Sequence, residues 1–226
     1  MKSARSSHDL VWRVRSAVVW RSGTQIAAQL IMWASTFIVI RLLDPRDYGL
    51  FAMSQVILVF FNLMNGHGFA NALIQRESVG RKQIAQAFGI LIALNCALAL
   101  VQFLSAPFAA AYFRQPIVAD LLRIQALLYL ITPFIAVPNA ILSREMNFQR
   151  QAVVNLVAAA AAAATALIGA SSGWGVWALV AAPLVLFYTR GLGLTLAARF
   201  FVWPSFRLAG SGGMLRFGLA QLVTQL

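Results

Sequence analysis

Six apolar stretches, each close to the length of a bilayer crossing, make up most of this sequence, with short polar loops between them. The hydrocarbon core of a membrane takes about 20 consecutive apolar residues as a helix. Stretches of that kind lie at 20–40, 49–65 with a continuation to 74, 84–106, 117–142, 151–171 and 174–198, and a seventh apolar pattern starts near Met214. Backbone inside lipid must satisfy its own hydrogen bonds, and runs this long do so as α-helices. The expected fold is all-α: a polytopic helical membrane protein of six transmembrane helices plus the start of a seventh. Residues 1–20 read as a cytoplasmic N-terminal segment with an interfacial helix over 8–20, anchored by Trp12 and Trp20. Residues 20–200 read as the six-helix lobe, and 201–226 as a cytoplasmic loop leading into the seventh helix.

Composition excludes the main alternative. The chain is 61% apolar and 11% charged, against about 45–50% and 25% for soluble domains. The first apolar run is too long for a signal peptide, and no small-residue cleavage site closes it. A net charge of +12 would suggest nucleic acid in a soluble protein. Here the positive residues are dispersed between apolar runs, with no basic helix or aromatic platform, so nucleic acid is not an expected partner. The single cysteine, Cys96, lies in an apolar run, and His8 and His67 do not make a metal site. No Asp or Glu falls in the middle of a span and no Gly-Lys-Ser/Thr loop is present. Hydrolytic chemistry, ATP hydrolysis and an intramembrane proton relay are therefore not expected; the chain reads as a non-enzyme without metal or cofactor.

Lys and Arg set the orientation. The N-terminal segment, the 75–83 loop, the 143–150 loop and the segment after the sixth span together carry thirteen, whereas the intervening loops carry three: Arg41, Arg46 and Arg114. Cytoplasmic loops hold the excess of positive charge, which places the N-terminus in the cytoplasm.

Polar residues inside spans mark a bundle interior or a water-filled cavity. Arg21, Gln25, Gln29 and Thr36 share one face of the first helix, Gln55, Asn62 and Asn65 one face of the second, and Asn95 and Gln102 one face of the third. A single amide serves equally well as glue between helices; two aligned stripes on neighbouring spans point as much to a shared polar cavity. Arg123 and Arg190 lie within or near spans, and cationic groups facing a cavity suit an anionic substrate such as a phosphate. The candidate anion contacts are Arg21, Arg123 and Arg190, and the candidate cavity lining is Gln25, Gln29, Gln55 and Asn62. Pro133, Pro138 and Pro183 act either as hinges or as packing kinks. The run Ala158–Ala164 either allows close helix approach or faces lipid.

The loops carry a resemblance. Residues 41–53, from Arg41 through Asp44, Pro45, Asp47, Tyr48 and Gly49 to Met53, resemble the first-loop signature of Wzx-type polysaccharide flippases of the MOP superfamily. Locally, Asp44-Pro45 ends one helix and turns the chain, and Gly49 lets the next helix start close to its neighbour. The glycine-rich stretch from Asn65 to Glu77 and the basic loop from Ile141 to Arg150 are similar to further family segments, as are Tyr112-Phe113 and Phe217-Gly218. His67 departs from the small or acidic residue usual there. The resemblance implies one lobe of a two-lobed, alternating-access carrier in the bacterial inner membrane. Its substrate would be an undecaprenyl-pyrophosphate-linked oligosaccharide for surface polysaccharide biosynthesis. Implied partners are that lipid-linked oligosaccharide, membrane lipids, and polysaccharide polymerase and export machinery. Family members have two such lobes, so this chain is expected to be part of a longer one. Alternatives are a multidrug or lipid II exporter of the same superfamily, or a truncated product inactive alone. Cationic drugs would favour cavity carboxylates, which these spans lack.

Overall fold

The computed structural model describes the backbone of residues 2–63, 80–200 and 202–205, with side chains described for 22–61, 80, 84–200 and 202–205. Seven helices occur among the described residues: α1 (Lys2–Leu42), α2 (Pro45–Leu63), α3 (Arg81–Phe113), α4 (Ile117–Gln125), α5 (Leu127–Arg144), α6 (Phe148–Ser171) and α7 (Val176–Ala197). Five segments are long and apolar enough to cross a membrane: Ser22–Leu42, Ile84–Phe113, Ile117–Arg144 (α4 and α5 together), Phe148–Ser171 and Val176–Ala197. The chain is thus a multi-pass helical membrane protein, with spans close to those expected from hydropathy. The second expected span, 49–65, overlaps α2, which is not among these five and whose first turn, Pro45-Arg46-Asp47, is polar, so the described residues show five crossing segments where six were expected. Its continuation to 74, the Asn65–Glu77 segment with His67, and the seventh apolar pattern lie outside the described residues. The expected lead-in helix and the first span share one unbroken helical backbone in α1.

Helix ends follow local chemistry. Asp44 is non-helical and Pro45 opens α2, a position where the missing proline N–H is not needed. Four other helices close with one pattern: a residue at positive φ whose N–H, with that of the next residue, bonds carbonyls three and five residues back. These pairs are Arg114/Gln115 after α3, Met146/Asn147 after α5, Gly173/Trp174 after α6 and Arg199/Phe200 after α7. Only one of the four carries the glycine that this conformation favours.

Helix α6 packs most extensively on α7 and α1, while α7 also meets α5, α2 and α4, and α3 packs on α4 and α5. Small residues permit this. Ala158, Ala159, Ala162 and Ala163 are buried on one face of α6, so the alanine run is a packing stripe, and the Ser35 hydroxyl of α1 donates to the Ala163 carbonyl at 3.3 Å. On α7, a Cβ at Gly191 would lie 2.6 Å from Ile131, and one at Gly193 2.7 Å from Val154. Gly49 is different: a Cβ there meets nothing within 4 Å, so the close approach expected of it is made by α7 instead.

The expected fourth span is divided at Ala126 into α4 and α5. Neighbouring helices tend the carbonyls around its irregularities. Gln102 of α3 donates to the Leu122 carbonyl at 2.8 Å, and Tyr188 of α7 to the Leu127 carbonyl at 3.2 Å. Pro138 has no N–H to offer the carbonyl four residues back, that of Phe134; the Thr195 hydroxyl of α7 donates to it at 3.2 Å. After α7 the chain turns back along α3, where the Ser205 N–H bonds the Ala85 carbonyl at 2.9 Å and Ser205 backbone covers Gly89.

Candidate functional site

One end of the bundle, where α5 joins α6 and α7 ends, holds a polar cavity of about 350 Å³. Four helices supply it, each through a single face. From α1 come Thr24, Gln25, Ala28, Gln29 and Met32; from α5, Asn139 and Ser143; from α6, Phe148, Gln151, Ala152, Asn155 and Ala158; from α7, Leu186 and Arg190. Spacings of three and four residues on α-helices create these faces. Gln151 ties α6 to α5: its amide nitrogen donates to the Asn139 carbonyl at 3.0 Å and to the Ser143 hydroxyl at 2.9 Å. Arg150, beside it, donates to the Ala197 carbonyl at the end of α7 at 2.9 Å. The two α6 neighbours thus hold three helix ends together around the cavity mouth.

Among the described residues Arg190 is the one ionisable side chain in this lining, and none of the others there is a carboxylate. Its Nε is buried and has no hydrogen-bond partner, and the Asn155 Oδ1 is buried and unpartnered as well. Arg190 as a whole is part-buried; an arginine at mid-membrane without a counter-charge costs about 2.5–3.5 kcal/mol on insertion scales, and less where its head reaches water. An anionic ligand at this place would remove that cost and use the planar donor fork of arginine.

Three of the residues singled out from the sequence therefore meet in one cavity: Gln25, Gln29 and Arg190. The side chain of Arg21 lies outside the described residues, but its backbone is one turn before Gln25 on the same helix. The side chain of Asn62 also lies outside them. Arg123 does not line this cavity. It pairs with Asp120, three residues earlier on α4, at 3.2 Å, and its guanidinium carbon stands 5.5 Å over the Phe103 ring of α3. Both charged partners are exposed, so a local ion pair and a cation–π contact occupy Arg123. Gln55 lines a second cavity, between α2, α4–α5 and α7, so the described parts of the two sequence stripes do not share one space. Thr36 bonds the Met32 carbonyl of its own helix at 2.8 Å. Asn95 and Gln102 are fully buried as helix-to-carbonyl donors.

Sequence reasoning missed Asn139, Ser143, Gln151 and Asn155. Gln151 and Asn155 are four apart at the start of the fifth expected span, the same signal that marked Gln25 and Gln29. Asn139 was masked by its place beside Pro138, where polarity reads as a helix end.

The model of a family described as polysaccharide biosynthesis protein matches residues 38–226, which include both loops of the resemblance, 41–53 and 141–150. The chain belongs to that family. It is similar to the succinoglycan biosynthesis transport protein ExoT of Rhizobium meliloti. The two are 28% identical over 194 residues, covering 83% of this chain and 39% of the relative. It is also similar to the lipopolysaccharide biosynthesis protein WzxC of Escherichia coli, 21% identical over 184 residues, with 79% of this chain and 37% of the relative covered. The chain spans about two fifths of the length of these relatives. No solved structure matches it.

Proposed function

We propose that the chain forms one lobe of an inner-membrane flippase that carries an undecaprenyl-pyrophosphate-linked oligosaccharide across the bilayer for surface polysaccharide biosynthesis, with its N-terminus in the cytoplasm. The observation that carries this reading is Arg190, buried at Nε without a partner in a cavity whose described lining has no carboxylate. The thirteen-to-three bias in loop Lys and Arg supports a cytoplasmic location for this end of the bundle, the side on which such a substrate would be loaded. Arg190 would bind the pyrophosphate, with Arg21 approaching from the start of α1. Gln25, Gln29, Asn139 and Asn155 would contact neighbouring sugar hydroxyls, and the lipid tail would stay in the bilayer. No bond in the substrate changes. The carrier lowers the barrier by giving the charged head group a polar path, and a second lobe supplies the facing wall. A cationic drug would need a carboxylate in place of Arg190, which disfavours the multidrug alternative.

The test removes charge at each candidate anion contact at the chromosomal locus. Arg190→Gln is expected to lower polymer export at least tenfold and to leave lipid-linked oligosaccharide facing the cytoplasm. Arg21→Gln should have a smaller effect of the same sign, and Arg123→Gln, already paired with Asp120, the smallest. Wild-type export in all three variants would sink the proposal.

A further inference from the structure

The second cavity lies towards the opposite end of the bundle and has about 640 Å³ of space, within the range of roughly 300–1,000 Å³ typical of small-molecule sites. Its walls are again single helix faces: Phe51, Gln55 and Leu58 from α2; Gln125, Leu128, Tyr129 and Thr132 across the α4–α5 break; Val180, Pro183 and Phe187 from α7. None of these ten residues is charged.

Two of the polar residues are almost wholly buried, Gln125 at 2% and Tyr129 at 1% exposure. Each retains a polar atom without a partner. Gln125 spends its amide nitrogen on the Ser54 hydroxyl at 3.2 Å, leaving Oε1 unpaired, and the Tyr129 hydroxyl has no partner at all. Buried polar atoms without a partner are destabilising, so two of them on residues lining one cavity favour a ligand that pairs both. Thr132 already donates to the Leu128 carbonyl at 2.9 Å and can only accept further. The lining residues together hold an acceptor at Gln125 and a donor and acceptor at Tyr129, both buried and open to a ligand only on a side-chain shift, with an acceptor at Thr132 and a second amide at Gln55.

The set discriminates among ligands. An ion would lose its hydration and find no counter-charge. A lipid tail would leave the amides and the phenol unpaired. A neutral molecule rich in hydroxyls, with C–H faces to lay against Phe51, Tyr129 and Phe187, matches both the polar and the aromatic surfaces. We infer that this cavity is a binding site for a neutral sugar unit, separate from the cationic cavity at Arg190. The inference rests on the reading of the chain as a carrier of lipid-linked glycan and adds where an uncharged part of that glycan is held. Helix α7 walls both cavities, with Pro183 at the sugar cavity and Arg190 two turns further on.

The experiment uses the 226-residue chain in lipid nanodiscs free of sugar-headed detergent, with two probes. Cellobiose binding is read by saturation-transfer NMR on the sugar C–H protons, and inorganic pyrophosphate binding by ³¹P line broadening. Wild type should give both signals. Tyr129→Phe, which removes only the hydroxyl oxygen, and Gln125→Leu should each lower the cellobiose signal at least fivefold and leave the pyrophosphate signal unchanged. Arg190→Gln should do the reverse. Circular dichroism melting establishes that each variant is folded, and Tyr129→Phe is the decisive variant because it preserves volume. The inference is overturned if wild type gives no saturation transfer, meaning that the cavity holds only water, or if Tyr129→Phe and Gln125→Leu bind cellobiose as wild type does. Loss of the pyrophosphate signal in wild type would instead count against the flippase reading, so the two failures are distinguishable.

Discussion

The bond from Thr195 to the Phe134 carbonyl should depend on Pro138, and that dependence can be measured. In a regular helix the N–H of residue 138 would bond the carbonyl of Phe134, but proline has none. The Thr195 hydroxyl, 3.2 Å away on α7, takes its place. Thr195→Val keeps the shape and removes the donor. Interhelical hydrogen bonds in membranes average about 0.6 kcal/mol and reach about 1.7 kcal/mol. An orphaned carbonyl adds to the loss, because a backbone group facing lipid has no water to replace the missing donor. The expected cost of Thr195→Val is about 1–2 kcal/mol. In a Pro138→Ala background the restored N–H serves the carbonyl, and the same substitution should cost about 0.5 kcal/mol or less, within the usual net worth of one hydrogen bond. The coupling is therefore about 1 kcal/mol, well above the scatter of about 0.3–0.5 kcal/mol for independent sites. Reversible unfolding by sodium dodecyl sulfate in mixed micelles, followed by circular dichroism, gives the four free energies. Equal costs of Thr195→Val in both backgrounds would refute the account of how the α5 prolines are accommodated.

Two further substitutions probe the packing and the helix ends. Gly191→Ala places a methyl 2.6 Å from Cγ1 and 2.9 Å from Cδ1 of Ile131 and should cost about 1–3 kcal/mol as overpacking; in an Ile131→Ala background the added methyl should be nearly neutral, which the same unfolding assay reads. Met146→Gly relieves a residue at φ +54° that is 65% exposed and so loses little packing; it should stabilise by about 0.5–1 kcal/mol, and a loss of stability would contradict the helix-end reading.

The membrane architecture was legible because crossing length is a one-dimensional property. An apolar run either reaches across the bilayer or does not, and its position is written in consecutive residues. Grouping into sites was legible only where it stayed on one helix. Gln25 and Gln29 are four apart, and they do face one cavity. The ion pair of Arg123 with Asp120, at i and i+3, is equally local, but Asp120 stands near the start of its span, outside the mid-span positions where a charge is conspicuous. Whether Gln55 would join Gln25 or Gln125 depends on how α1, α2 and α7 pack, and periodicity on each helix does not encode that. Close-approach glycines show the same limit: Gly49 and Gly191 look alike in sequence, and only the packed neighbour Ile131 distinguishes them.

In the proposed function Arg190 makes this lobe a receptor for a pyrophosphate-bearing lipid. The most direct test is competitive retention of undecaprenyl pyrophosphate against uncharged undecaprenol by the purified chain in nanodiscs, read by mass spectrometry of the co-purified lipid. A charge-assisted hydrogen bond contributes about 1.5–3 kcal/mol, so wild type should prefer the pyrophosphate by about tenfold to a hundredfold. Arg190→Gln should abolish that preference and Arg190→Lys should keep part of it. Equal retention of the two lipids by wild type, or an undiminished preference in Arg190→Gln, would contradict the account.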